Sequence, residues 1–213
     1  MGLDLSNEAH RANWCVENIF SLFGSVLTLL HSRHKQAERR AQIDGLPPEY
    51  FQPITDSEQD ILRLSVSEIS SKARSGLLDK HDILLAYGKK AIQAQNKTNC
   101  LSEVMIADAL ARLDSHEANA HVDENSSARP LEGVVISLKD SEPVAGYDTT
   151  CSLSALVGKP AAEDGPIARV LRSAGAIIHA KTTLPILIHT CETQSDLFIA
   201  YVRYGRDSRN ERD

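Results

Sequence analysis

The sequence predicts an α/β fold in which a helical first half precedes the opening strands of a sheet. Three observations carry this: apolar residues recur at helical spacing as far as Leu113, a β-branched run occupies Gly133–Leu138, and a second short apolar run, Ala176–Ala180, follows a helix opened by Pro166. A strand, a crossover helix and a strand in that order make a parallel unit. The chain has 213 residues, 42% of them hydrophobic and 24% charged, enough for one compact domain with a core.

Residues 7–42 are rich in helix formers and contain a basic run, His31–Arg40, and Gly45-Leu46-Pro47-Pro48 then stops the helix. Thr55-Asp56-Ser57-Glu58 has the capping-box spacing, so a helix should start near Asp56 and continue through Ser65–Arg74 until Gly76. Lys80–Gln95 places Ile83, Leu84, Tyr87 and Ile92 on one stripe. A further helix is expected from about Ser102, with Val104, Ile106, Leu110 and Leu113 inward. Residues 114–130 are polar and predict a surface loop. Gly133–Leu138 and Ala176–Ala180 read as strands covered on both faces. Between them Asp164-Gly165-Pro166 opens a helix with Ile167, Val170 and Leu171 inward, and Gly175 fits the left-handed position past its end. Residues 201–213 read as a polar tail.

Charge and composition exclude several classes. A formal charge of -6 argues against nucleic acid or an anionic membrane surface as partner. The apolar stretch Ile19–Leu30 is about 12 residues long, against the roughly 20 that a spanning helix needs, so membrane contact through Trp14–Leu30 is not expected. Cys15, Cys100, Cys151 and Cys191 form no CxxC pair and no Cys/His cluster, so they read as reduced thiols in a cytoplasmic setting. His31, His34 and Glu38 share a helical face, but no third ligand from elsewhere joins them, and no metal is expected. Ser32-Arg33-His34-Lys35 fits S-x-x-K without its companion motifs and reads as a surface helix. Ser70-Ser71 and Ser126-Ser127 lack the flanking glycines of an exposed nucleophile, and His179 and His189 read as ordinary core or surface imidazoles.

Lys139 sits at the carboxyl end of the first strand, where α/β sheets collect reacting groups. A lysine becomes a general base when its surroundings disfavour the ammonium, but a strand-end lysine followed by an aspartate also reads as a solvated or ion-paired surface residue. The blocks around it, Pro130-Leu131-Glu132-Gly133-Val134-Val135-Ile136-Ser137-Leu138-Lys139-Asp140, Gly146-Tyr147-Asp148-Thr149-Thr150, Arg172-Ser173-Ala174-Gly175-Ala176 and Ala180-Lys181-Thr182-Thr183-Leu184-Pro185, resemble the amidase signature family. With Thr98-Asn99-Cys100-Leu101-Ser102-Glu103 upstream, the resemblance is to fungal acetamidase-like and fatty-acid-amide-hydrolase-like members and covers about residues 53–198. It implies an N-terminal helical region followed by the first strands and helices of a mixed sheet, and divides the chain into an arm (1–50), a partial amidase signature domain (51–200) and an off-pattern tail (201–213).

The resemblance further implies hydrolysis of carboxamides by a Ser/cis-Ser/Lys arrangement that needs no cofactor, with a small amide as substrate. Lys139 matches the family's lysine, and Ile188 would lie near the acyl pocket. The Gly-Gly-Ser-Ser-Gly-Gly block carrying both serines is not among the 213 residues. A truncated domain that does not hydrolyse amides alone is therefore the expectation. Its alternatives are a non-catalytic protein that pairs with itself or another chain through an exposed sheet edge, and an unstable truncated product.

Overall fold

The computed structural model describes residues 5–118, 129–190, 192–195, 197–198 and 200–202. Helix α1 spans Leu5–Asp44 and ends where Gly45 donates to the Ala41 carbonyl. Pro48 then opens a 3-10 turn, Pro48–Phe51, that buries Tyr50. The expected helix at Asp56 is present, with Thr55 and Glu58 forming a reciprocal capping box. It does not continue into the next stretch. Ser65 and Glu68 form a second capping box, so two short helices, α2 (Asp56–Arg63) and α3 (Val66–Arg74), meet at an extended Leu64. Two such caps in close succession decide the break, because each orders its own first turn.

Helix α4 (Lys80–Thr98) is capped by Asp79 and terminated by Asn99 in the left-handed region. Here the structure corrects the sequence. Residues Leu101–Val104 form strand β1, and helix α5 begins only at Ile106 and runs to Ala118. Helical spacing of Val104, Ile106 and Leu110 conceals a strand whose identity comes from antiparallel pairing with the distant segment Ala180–Thr182. The expected loop at 114–130 falls partly within α5 and otherwise mostly outside the described residues.

Strand β2 (Val135–Lys139) and strand β3 (Ile177–Thr182) pair in parallel as expected, joined through helix α6 (Pro166–Ser173). The sheet order is β1-β3-β2, so β3 is central and its residues are buried almost throughout. Strand β2, at an edge of the sheet among the described residues, is not covered on both faces: Ser137 and Lys139 share one face and are exposed, because no described element packs over them. In α6 the inward positions are Ala168 and Leu171, while Ile167 and Val170 face solvent. A two-stranded antiparallel pair, β4 (Thr193–Ser195) with β5 (Ala200–Val202), takes Tyr201 and Val202 out of the expected tail; residues 203–213 lie outside the described residues.

The core lies between the helices and β3. Ile83, Leu84 and Ala86 of α4, Ile106 and Ala109 of α5, and Ile177, Ile178 and Ala180 of β3 are all buried. No described helix is long and apolar enough to cross a membrane. Gly175 follows α6 with φ +93, and a Cβ there would lie 2.5 Å from Glu132 Oε2 and 2.9 Å from Glu132 Cα. Gly76 follows α3 with φ +70 and open space around it. Gly175→Ala should therefore destabilise the fold by more than about 2 kcal/mol, adding a backbone clash to left-handed strain, and Gly76→Ala by only about 1 kcal/mol. Urea denaturation of the two variants side by side checks the difference.

Candidate active site

The parallel strands β2 and β3 end together, with Lys139 in register with Thr182. The next residue, Asp140, is fully buried, and its N–H donates to the Thr182 carbonyl at 3.0 Å. Its carboxylate lies 3.2 Å from Lys181 Nζ through one oxygen and accepts the Thr150 hydroxyl at 2.5 Å through the other. Lys181 is also fully buried. Its ammonium donates to the Asp148 carbonyl at 2.5 Å and to Thr149 Oγ1 at 3.2 Å. One ammonium thus ties the end of β2 to the turn at 148–150. Burial pushes the Asp140 carboxyl up from the ordinary aspartate value, and Lys181 and Thr150 oppose that push.

The same turn is held from its other side. Asp148 accepts Lys35 Nζ at 2.8 Å and the Gly158 N–H at 2.9 Å. Lys35 Nζ also lies 2.5 Å from Glu103 Oε1 and 3.1 Å from Glu38 Oε2. Burial alone would lower the Lys35 pKa, but Glu103 and Asp148 outweigh it and hold the ammonium well above the usual lysine value. Burial likewise works against ionised Asp148, yet its bonds from Lys35 and Gly158 pull it below the ordinary value. Glu103, the most enclosed carboxyl of the group, is pushed up by burial despite Lys35. Ser32 and Lys35 are therefore buried rather than on a surface helix, and Arg39 of the same basic run is buried too. They do not form a serine–lysine pair, since the Ser32 hydroxyl donates to the Thr28 carbonyl.

Lys139 itself is exposed at the mouth of this network. Around it the backbone is strained. Cys151 and Ser152 have φ of 46 and 59, and Leu187 and Ile188 have φ of 52 and 62. The Leu187 N–H donates to the Cys151 carbonyl, and the Cys151 N–H points to the Asp140 carbonyl at 3.5 Å. A chain of backbone bonds thus runs from the Leu187–Ile188 pair to the residue that follows Lys139. Ile188 is 47% exposed, and its neighbours Ile186 and Leu187 are exposed to a similar degree. Ser152 and Ser195 approach within 3.2 Å, but both are buried and the Ser152 hydroxyl is engaged by the Leu184 carbonyl. Neither has the exposure a nucleophile needs. His179 packs in β3 with Nδ1 against the Ile136 carbonyl, and His189 is exposed. His34 pairs with Glu38, and the described residues contain no metal-ligating cluster.

Sequence reasoning singles out Lys139 and Ile188 but misses Asp140, Lys181, Asp148 and Lys35. Lys181 carries a usable signal: a lysine inside an apolar strand must find a counter-charge. Lys35 carries none, because Glu103 and Asp148 are remote in sequence and belong to other elements.

The comparisons fit this geometry. Residues 82–208 match the model of the Amidase family. The chain is 33% identical over 147 residues to an acetamidase of Emericella nidulans, covering 68% of this chain and 26% of that protein. It is 33% identical over 146 residues to a probable amidase of Saccharomyces cerevisiae, covering 68% and 26%. The chain thus spans about a quarter of the length of these relatives. Among solved structures, a fatty acid amide hydrolase superposes with a TM-score of 0.72 at 19% identity, over 84% of this chain and 36% of the other, a likeness of fold.

Lys181→Met should destabilise the fold by about 3–5 kcal/mol, because it leaves Asp140 buried without its cation. Adding Asp140→Asn should recover most of the loss. Chemical denaturation of the single and double variants measures the coupling.

Proposed function

Because the chain belongs to the amidase family, we propose that residues 1–213 carry the lysine half of a carboxamide hydrolase site. Lys139 is the base in this reading. The observation that carries it is the placement of Lys139: an exposed amine at the joint end of two parallel strands, fixed at its following residue by the buried Asp140–Lys181 pair.

In this reading the neutral Lys139 amine takes a proton through a bridging serine from the nucleophilic serine. The serine oxygen attacks the amide carbon, the amine leaves with a proton, and water then hydrolyses the acyl-enzyme. Both serines and the N–H donors for the oxyanion lie in a block that residues 1–213 do not contain. A polypeptide of these residues alone therefore binds no acyl group covalently and does not turn over amides. In this reading Ile188, exposed together with Ile186 and Leu187, lines the acyl side of the substrate. The lack of a CxxC pair in the sequence and the two free thiols described, Cys100 and Cys151, support a reducing, cytosol-like setting.

A second reading concerns partners. The outer side of β2 carries no strand among the described residues, and that edge is where a further strand, from the same polypeptide or another, would be added.

Purified residues 1–213 should show no hydrolysis of acetamide or an aryl amide; turnover that disappears in Lys139→Ala would overturn the half-site reading. Sequencing the transcript through the codon for Asp213 provides the complementary test. If any form continues into Gly-Gly-Ser-Ser-Gly-Gly, its product should hydrolyse amides, and Lys139→Ala should lower kcat by about 10²-fold or more.

A further inference from the structure

The amino end of β3 lies at the other end of that strand from Thr182, the residue in register with Lys139, roughly 16 Å away at the rise of an extended chain. There the fold leaves a cavity of about 80 Å³. Its floor is apolar: Ala109 and Leu113 of α5 and Ile177 and Ile178 of β3, all buried, line it. Its rim is cationic. Lys80 comes from the start of α4, Arg112 from α5, Arg129 from the segment before β2 and Arg172 from the last turn of α6, so four elements each deliver one positive charge.

The rim does not cancel these charges. Glu132 pairs with Lys80 Nζ and with Arg129 Nε, each at 3.0 Å, and Asp164 pairs with Arg172 Nε at 2.8 Å. Asp108 lies close enough to act on Arg172, and it also accepts the Tyr147 hydroxyl. Four cations thus face three carboxylates, and Arg112 has no carboxylate at ion-pair distance among the described residues. Arg129 and Arg172 both pair through Nε, which leaves their Nη forks, and the whole Arg112 guanidinium, uncommitted. Burial first and the Arg112 charge second push the Arg172 guanidinium below its ordinary value, and Asp164 offsets only part of that push. Guanidinium groups brought together over an apolar floor repel one another, and an anion between them relieves the repulsion.

We propose that this cavity binds a small organic monocarboxylate, its carboxylate facing the guanidinium forks of Arg112 and Arg172 and its short aliphatic chain lying on Ala109, Leu113 and Ile177. One anion completes the charge balance of the rim. Unused N–H groups in a planar fork match the two oxygens of a carboxylate. The floor sets the body of the ligand: a volume of about 80 Å³ is the space of roughly two or three waters, enough for a short chain and too small for a lipid tail or a nucleotide base. Inorganic phosphate would satisfy the rim and leave the floor wet. The site is independent of the hydrolase reading, because neither Lys139 nor the serines of that reading take part.

Mapping amide shifts by NMR on the unmodified chain, with butyrate as the probe, tests it. Butyrate should move the amides of Leu113, Gly175 and Ile177 saturably and leave those of Lys139 and Thr182 in place. Butyramide, similar in shape and uncharged, should move none of them. Acetate should bind about tenfold more weakly, the loss of two buried methylenes, and inorganic phosphate no more tightly than acetate. Arg112→Gln, at an exposed position, should keep the thermal midpoint and weaken butyrate by about tenfold or more. If that variant does not fold, salt decides on the unmodified chain: raising it from about 0.05 M to about 0.5 M should weaken butyrate several-fold. The absence of saturable shifts at the cavity, equal binding of butyramide, tighter binding of phosphate than of butyrate, or an affinity indifferent to Arg112→Gln or to salt each overturns the proposal.

Discussion

A fully buried ammonium in the central strand organises the end of the sheet at which Lys139 sits. Lys181 has no access to solvent, so its charge is tolerable only while Asp140 and the acceptors at 148 and 149 remain in place. That requirement works in both directions. It fixes the turn that follows β2, and it fixes the residue beside Lys139 while leaving the Lys139 side chain itself outside. In the proposed reading Lys139 has to be free to approach substrate while its backbone stays still, and separating the two lysines on neighbouring strands is compatible with both conditions.

The buried charges do not stop at Lys181. Asp148 links that ammonium, through its carbonyl, to Lys35 of α1 through its carboxylate, and Lys35 reaches on to Glu103 of β1. Lys35 with Glu103 and Asp148, and Lys181 with Asp140, therefore form two buried charge clusters between the first helix and the strand end, joined through the Asp148 backbone carbonyl. In a low-dielectric interior such clusters are stable when complete and costly when one member is removed. This is why α1 belongs energetically to the site's framework although it lies far from Lys139 in sequence.

Much of the fold is legible in the residues themselves. The Thr55/Glu58 cap, the stop at Gly45–Pro48, Gly175 in the left-handed region and the parallel strands around α6 all follow from local rules, and local rules suffice where neighbours in sequence supply the energy. The failures share one cause. Strand β1 reads as helical because its partner is β3; Ile167 and Val170 read as buried because amphipathicity gives a stripe without saying what covers it; and Ser32–Lys35 reads as a surface helix because Glu103 and Asp148 are distant in sequence. At the site, Lys139 and Ile188 come from motif resemblance, whereas Lys181, equally present in the motif, is passed over because its role emerges only when Asp140 and the 148–150 turn are brought to it.

The strained backbone beside Lys139 completes the physical picture. Left-handed conformations cost about 1–2 kcal/mol for residues with a Cβ, and an isoleucine is among the least tolerant. Cys151 and Ser152 form one adjacent pair in this region, Leu187 and Ile188 another, and the two meet through the Leu187–Cys151 hydrogen bond. Local propensity would scatter this strain or relieve it with glycine. Instead the Ser152 hydroxyl, held by Leu184, and the 148–150 turn, held by Lys181, force both pairs into contact. Strain of this kind persists only where the surrounding structure over-determines the backbone. Ile186, Leu187 and Ile188 are exposed on this stretch, and the Leu187–Cys151 and Cys151–Asp140 backbone contacts connect it to the residue after Lys139.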